Sequence, residues 1–144
     1  MALKSILFIL WAFAGANAGS GQNVTFPQWI RGDWQNSFES NMDKFVFWTF
    51  TGDSIIMEQG MTNSQRENLL QKYAGFQSTV ESNDSIFRIH FSNEMESYVY
   101  EFKLHPVSET PYDRPCLTCA LVVNGVRKGG HDFLRSIVFF RTKP

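Results

Sequence analysis

From Trp34 onward the dominant spacing of apolar residues is two, and that period constrains the fold more than any other feature of the chain. Successive side chains of a strand point to opposite sides, so a period of two buries one face of a sheet and solvates the other. Residues 44–51 are β-branched or aromatic almost throughout, and Gly52-Asp53 then makes a tight turn into residues 54–57. In residues 86–92, Phe87, Ile89 and Phe91 share one face, with Arg88 and His90 on the other. The next run sets Tyr98, Tyr100, Phe102 and Leu104 against Val99, Glu101, Lys103 and His105, after a turn over residues 93–96. Residues 116–123 form another apolar run closed by Asn124-Gly125, a strong hairpin signal. Residues 133–140 read as a long last strand, with Arg135 and Arg141 on the Phe139 side.

With 34–38 and 76–80 added, about eight strands are expected, mostly sequential and joined by short turns. The period predicts an all-β fold, an antiparallel up-and-down barrel of about eight strands, because closure removes the unpaired edges of a meander. A two-sheet sandwich is the alternative. Residues 62–73 depart from the period. They carry helix formers, a cap at Thr62 or Asn63 and a stop at Gly75, which predicts one short helix.

Residues 1–18 predict where such a domain works. Lys4 supplies a positive start, residues 6–16 are almost wholly apolar, and Ala16-Asn17-Ala18 is a small-x-small cleavage site. That order is a secretory signal peptide, too short to span a bilayer. The expected mature chain is residues 19–144, one β-rich domain in an extracellular, oxidising setting. Lys4 leaves with the leader, so 13 basic residues become 12 against 14 acidic, a formal net charge of −2. Such a balance with no basic run disfavours nucleic acid, whose phosphates need clustered Lys and Arg. No second apolar run of about twenty residues follows, so no stable membrane anchoring is expected. Asn23-Val24-Thr25 and Asn83-Asp84-Ser85 are sequons, which permit glycosylation at Asn23 and Asn83 in a secreted chain.

Gly32-Asp33-Trp34 stands where the first strand begins. It resembles the lipocalin and wider calycin pattern, in which Gly-x-Trp opens the first strand. The resemblance implies that Trp34 plugs one end of a barrel and that an Arg of the last strand, Arg135 or Arg141, packs over it. A longer pattern runs Phe26-Pro27-x-Trp29-x-x-Gly32-x-Trp34-x-x-Ser37, with Cys116-Leu117-Thr118-Cys119 near the end. It is similar to a small secreted invertebrate domain family of unknown function. That family carries further cysteines outside these motifs; here none precedes Phe26 and none follows Cys119. The likeness implies a cellular context and no activity.

Cys116-x-x-Cys119 reads best as a local disulfide, which needs a turn or bulge because residues three apart on a regular strand face opposite ways. Two buried thiols are the alternative. Zinc needs about four ligands, and His90, His105 and His131 show no paired spacing, so no metal is expected. No catalytic constellation assembles either. There is no Gly-x-Ser-x-Gly elbow, no His-Glu-x-x-His and no phosphate loop, while Gly129-Gly130-His131-Asp132 reads as a turn and Glu94, Glu96 and Glu101 as a solvated face. A non-enzymatic protein without cofactor follows.

Two binding classes compete. In the first, the barrel holds a small apolar ligand, with Trp48, Tyr98 and Tyr100 at its wall and Val99 as a wall position if it faces inward. In the second, a filled barrel recognises an extracellular protein through exposed anchors, with Tyr73, Tyr112 and Trp29 as candidates. Twelve of the 14 phenylalanines fall in residues 19–144 and suit both, since they can line a cavity or fill it.

Overall fold

In the computed structural model, which describes residues 25–36, 46–59, 65–133 and 136–142, the alternation becomes a single sheet. Its strands are β1 (Gly32–Asn36), β2 (Val46–Phe50), β3 (Ile55–Gln59), β4 (Gln65–Asn68), β5 (Gln77–Ser82), β6 (Ile86–Ser92), β7 (Ser97–His105), β8 (Cys116–Val123), β9 (Val126–Lys128) and β10 (Val138–Arg141). All pairs are antiparallel. Neighbours run β4-β3-β2-β1-β10-β8-β7-β6-β5, with β9 an extra arm on β8. The order is the chain order wrapped on itself, because β1 pairs with both β2 and β10 and so joins the two ends of the chain.

The sheet is all-β and up-and-down, curled into a half-barrel, with β4 and β5 at its two edges. One continuous sheet replaces the sandwich alternative, and ten strands among the described residues replace about eight. The expected helix accounts for part of that difference. Among its described residues Leu69–Lys72 is helical (α1) and 65–68 pairs with β3 as β4, while the cap candidates Thr62 and Asn63 lie outside the described residues. Asn68 ends the strand and caps the helix, its Oδ1 accepting Leu70 N–H at 3.1 Å. So short a helix holds by burying Leu69 and Leu70 in the core, not by propensity. The Asn124-Gly125 turn accounts for β9. Both residues have positive φ, +50° and +81°, as a type I′ hairpin requires. The last strand is shorter than expected, Val138–Arg141 only. Residues 1–18, Asn23 and Arg135 lie outside the described residues.

One face carries the core. Trp34 from β1, Trp48 and Phe50 from β2, Phe87 and Phe91 from β6, and Phe102 from β7 lie in one buried cluster. At its end, the Trp34 indole donates to the Ile30 carbonyl at 2.9 Å. Arg141 lies over it, with the guanidinium carbon 4.4 Å from the ring, and its fork donates to the carbonyls of Arg31 (2.5 Å) and Trp29 (2.6 Å). Gly32 makes room for this. Its φ is +121°, and a Cβ there would stand 2.8 Å from Arg141 Nη1, so glycine serves both the backbone and the guanidinium.

Candidate functional site

The residues expected to line a ligand site divide between the two faces. Trp48 and Tyr100 are buried on the core face, with ring centroids 6.5 Å apart, and Tyr98 is half-buried beside them. Trp48 also stacks on Phe50 at 6.1 Å and meets the edges of Phe102 at 5.1 Å and Phe139 at 6.5 Å. Among these rings the buried Trp48 Nε1 has no hydrogen-bond partner among the described residues. An indole N–H usually finds an acceptor when buried, and leaving one unpaired costs about 1–3 kcal/mol. Val99 lies on the opposite face, in register with His90 and Val122 and outside the aromatic cluster. It is not a wall residue, because strand alternation that turns Tyr98 and Tyr100 inward turns Val99 out.

Two of the surface candidates also move. Tyr73 is only 4% exposed. It follows α1, stacks on Phe91 at 4.5 Å, and its hydroxyl meets that of Tyr100 at 2.8 Å. Its ring thus reaches β6 and β7 from the β4 side, where the sheet order ends. Burial among rings and the hydrogen bond to Tyr73 push the Tyr100 phenol well above its ordinary value, so its hydroxyl stays neutral. Trp29 is half-buried, with its indole donating to the Asn83 carbonyl at 2.8 Å. Tyr112 is 38% exposed, edge-on to Phe140 at 5.2 Å and Phe133 at 6.0 Å. Asn83 sits exposed in the β5–β6 turn, its Oδ1 accepting the N–H groups of Ser85 and Ile86.

The disulfide expectation is overturned. Cys116 and Cys119 are free thiols on β8, which runs without a bulge opposite β7 from Cys116 to Val123. Cys119 faces the core with Leu117 and Leu121, and Cys116 shares the other face with Thr118. Pro115 precedes the strand and introduces no bend within it. Burial pushes the Cys116 thiol up to about 11 and the Cys119 thiol up to about 12. We expect the native protein to react with a thiol reagent near pH 7 about a hundredfold slower than the unfolded chain, the thiolate being the reactive form. Mass analysis should count two added labels after denaturation without reductant. One bridged pair and no labels would refute the geometry.

The outer face holds a polar chain that spacing along the sequence does not reveal. His105 Nε2 lies 2.9 Å from Thr118 Oγ1, Thr118 Oγ1 lies 2.6 Å from His131 Nδ1, and His131 Nε2 lies 2.7 Å from Glu101 Oε1. Arg88 of β6 donates to Glu101 Oε2 and, at 2.7 Å, to Glu81 of β5; Arg127 of β9 stands 3.8 Å from Glu101. Glu101 was expected on a solvated face and is 7% exposed. Burial raises its pKa, and the hydrogen bonds and charges of Arg88 and His131 outweigh that, holding the carboxyl below its ordinary value. Glu101, His131 and Thr118 stand in the order of an acid–base–hydroxyl triad. Thr118 is fully buried and shares its hydroxyl with a second histidine, so a substrate has no approach to it. Comparison of the chain with protein-family models, curated proteins and solved structures returns no match.

Proposed function

We propose that this is a secreted, non-enzymatic protein whose half-barrel carries a small apolar ligand on its aromatic face, as a distant calycin-like carrier. The observation that carries this reading is the buried Trp48 N–H, which has no acceptor among the described residues. A ligand with a carbonyl or ether oxygen supplies that acceptor, while its apolar body packs against Phe50, Tyr100 and Phe102. The Gly32-x-Trp34 opening with Arg141 laid across the indole supports the calycin likeness. A soluble extracellular life, with glycans at Asn23 and Asn83 where the sequons are used, belongs to the same reading.

Titration with an apolar fluorescent dye, then competition by fatty acids, retinoids and sterols, tests it. Saturable binding near one per chain is expected, with quenching or enhancement of tryptophan fluorescence. Ligand at a hundredfold excess over its dissociation constant should add about 2.7 kcal/mol of stability. Trp48→Phe keeps most of the ring volume and removes the donor, so affinity for a carbonyl ligand should fall about tenfold. Absence of both binding and thermal shift across the panel defeats the carrier reading. Recognition of an extracellular protein then takes its place. The exposed Tyr112, in a loop bounded by Pro111 and Pro115, is the first position to mutate.

A further inference from the structure

We propose that the outer chain His105–Thr118–His131–Glu101 is an acid-sensitive latch: it holds residues 129–133 against β8 at neutral pH and releases them when both imidazoles are protonated.

Proton bookkeeping shows why two protons matter. Glu101 is acceptor-only when ionised, so His131 Nε2 carries hydrogen and donates to it. His131 Nδ1 is then bare and accepts the Thr118 O–H, and Thr118 Oγ1 accepts Nε2–H of His105. Every donor and acceptor between these four side chains is matched. A first proton on His131 is accommodated by reversal. Nδ1–H then donates to Thr118, whose O–H turns to His105 Nε2, left bare as the neutral His105 takes the tautomer with its proton on Nδ1, while the imidazolium rests beside the Glu101 carboxylate. A second proton, on His105, has no such outlet. Two N–H groups then point at one hydroxyl, and the hydrogen of that fully buried hydroxyl has no acceptor.

The surroundings sharpen the threshold. Around the pair, Glu101 bonds His131 and is held by Arg88 and Arg127, Lys103 and Glu109 act on His105, and Cys116 stands in register with His105; Asp132 adjoins His131 in sequence, and His90 lies two residues from Arg88 on the same face of β6. Burial first, then the Lys103 and His131 charges, lower the pKa of His105, with Glu109 opposing them. The folded segment therefore prefers His105 neutral. Once released, His105 titrates near about 6.5. Closed-state stability is thus intact above that pH and declines as pH falls below it, the open form taking up the proton first. Glu101, whose pKa is also lowered, stays ionised through this window.

What the latch holds is the last seam of the sheet. Gly129 turns at φ +79°, Phe133 packs on His105 at 4.7 Å, and Ser136 N–H donates to the Asp132 carbonyl at 2.9 Å just before β10. The β8–β10 register covers only Val138↔Thr118 and Phe139↔Leu117, so Thr118 belongs to both latch and seam. Release frees the segment that leads into β10, which carries Arg141 to Trp34.

Amide hydrogen exchange and imidazole NMR on the full chain, from about pH 7.5 down to about pH 5, test the latch. Below about pH 6.5 the opening of residues 129–133 should grow by up to about tenfold per pH unit, while β6 and β7 amides keep their protection. His105→Gln keeps an N–H donor and cannot be protonated, so its segment should stay closed over the same range. Opening of His105→Gln at the wild-type pH overturns the proposal. Wild-type protein alone also decides, whether or not the variant folds: titration of His105 with unchanged protection at 129–133 overturns it equally.

Discussion

Trp34→Ala should destabilise the domain by about 3–5 kcal/mol, the range for removing a large buried aromatic. Trp34 is 1% exposed, and its loss does three things together. It opens a cavity at the end of the core, leaves the Ile30 carbonyl without its indole donor, and removes the ring under Arg141. Against a total stability of about 5–15 kcal/mol, the melting temperature should fall by roughly 10–20 °C, with a matching loss of folded yield. Thermal unfolding followed by circular dichroism measures this. Unchanged melting would mean that Trp34 does not anchor the sheet. Trp34→Phe should lie between the two, since it refills part of the volume but restores no hydrogen bond to Ile30.

Arg141→Ala should cost about 2–4 kcal/mol, almost as much as the tryptophan beneath it. The guanidinium makes two charge-assisted hydrogen bonds to backbone carbonyls, worth about 1.5–3 kcal/mol in such settings, and a cation–π contact worth about 0.5–2 kcal/mol. It ties β10, at one end of the chain, to the turn before β1 at the other. Lysine keeps the charge but has no planar fork, so Arg141→Lys should recover less than half of the loss. Denaturant midpoints at constant slope read this directly. Full recovery by lysine would show that charge alone, and not the paired carbonyl contacts, holds the two ends together.

Much of the fold was legible because strand alternation is local. Phe87, Ile89 and Phe91 against Arg88 and His90, and Tyr98, Tyr100 and Phe102 against Glu101 and Lys103, fall on the faces their spacing assigns. Turn chemistry was local too: the turns at Gly52-Asp53 and residues 93–96 join the strands they were expected to join, and Asn124-Gly125 makes the expected hairpin turn, though into a short strand, β9, that was not expected. Residues 65–68 misled because their composition suits a helix. Pairing with β3 outweighs so weak a preference over four residues.

The sequence by itself determined which residues share a face and where the chain reverses, since both depend on neighbours one to four positions apart. Only the tertiary structure decided what each face touches. Whether Cys116 and Cys119 meet depends on β8 running straight along β7, a property of pairing and not of Cys-x-x-Cys spacing. That Tyr73 lies inside depends on the break in the sheet order beside α1. Glu101, His105, Thr118 and His131 form one chain although Glu101 and His131 stand 30 residues apart, because register places β7 beside β8 and the turn after β9 folds back over both. Hydrogen-bonded networks of that kind are made by register between distant segments, and no local period records them.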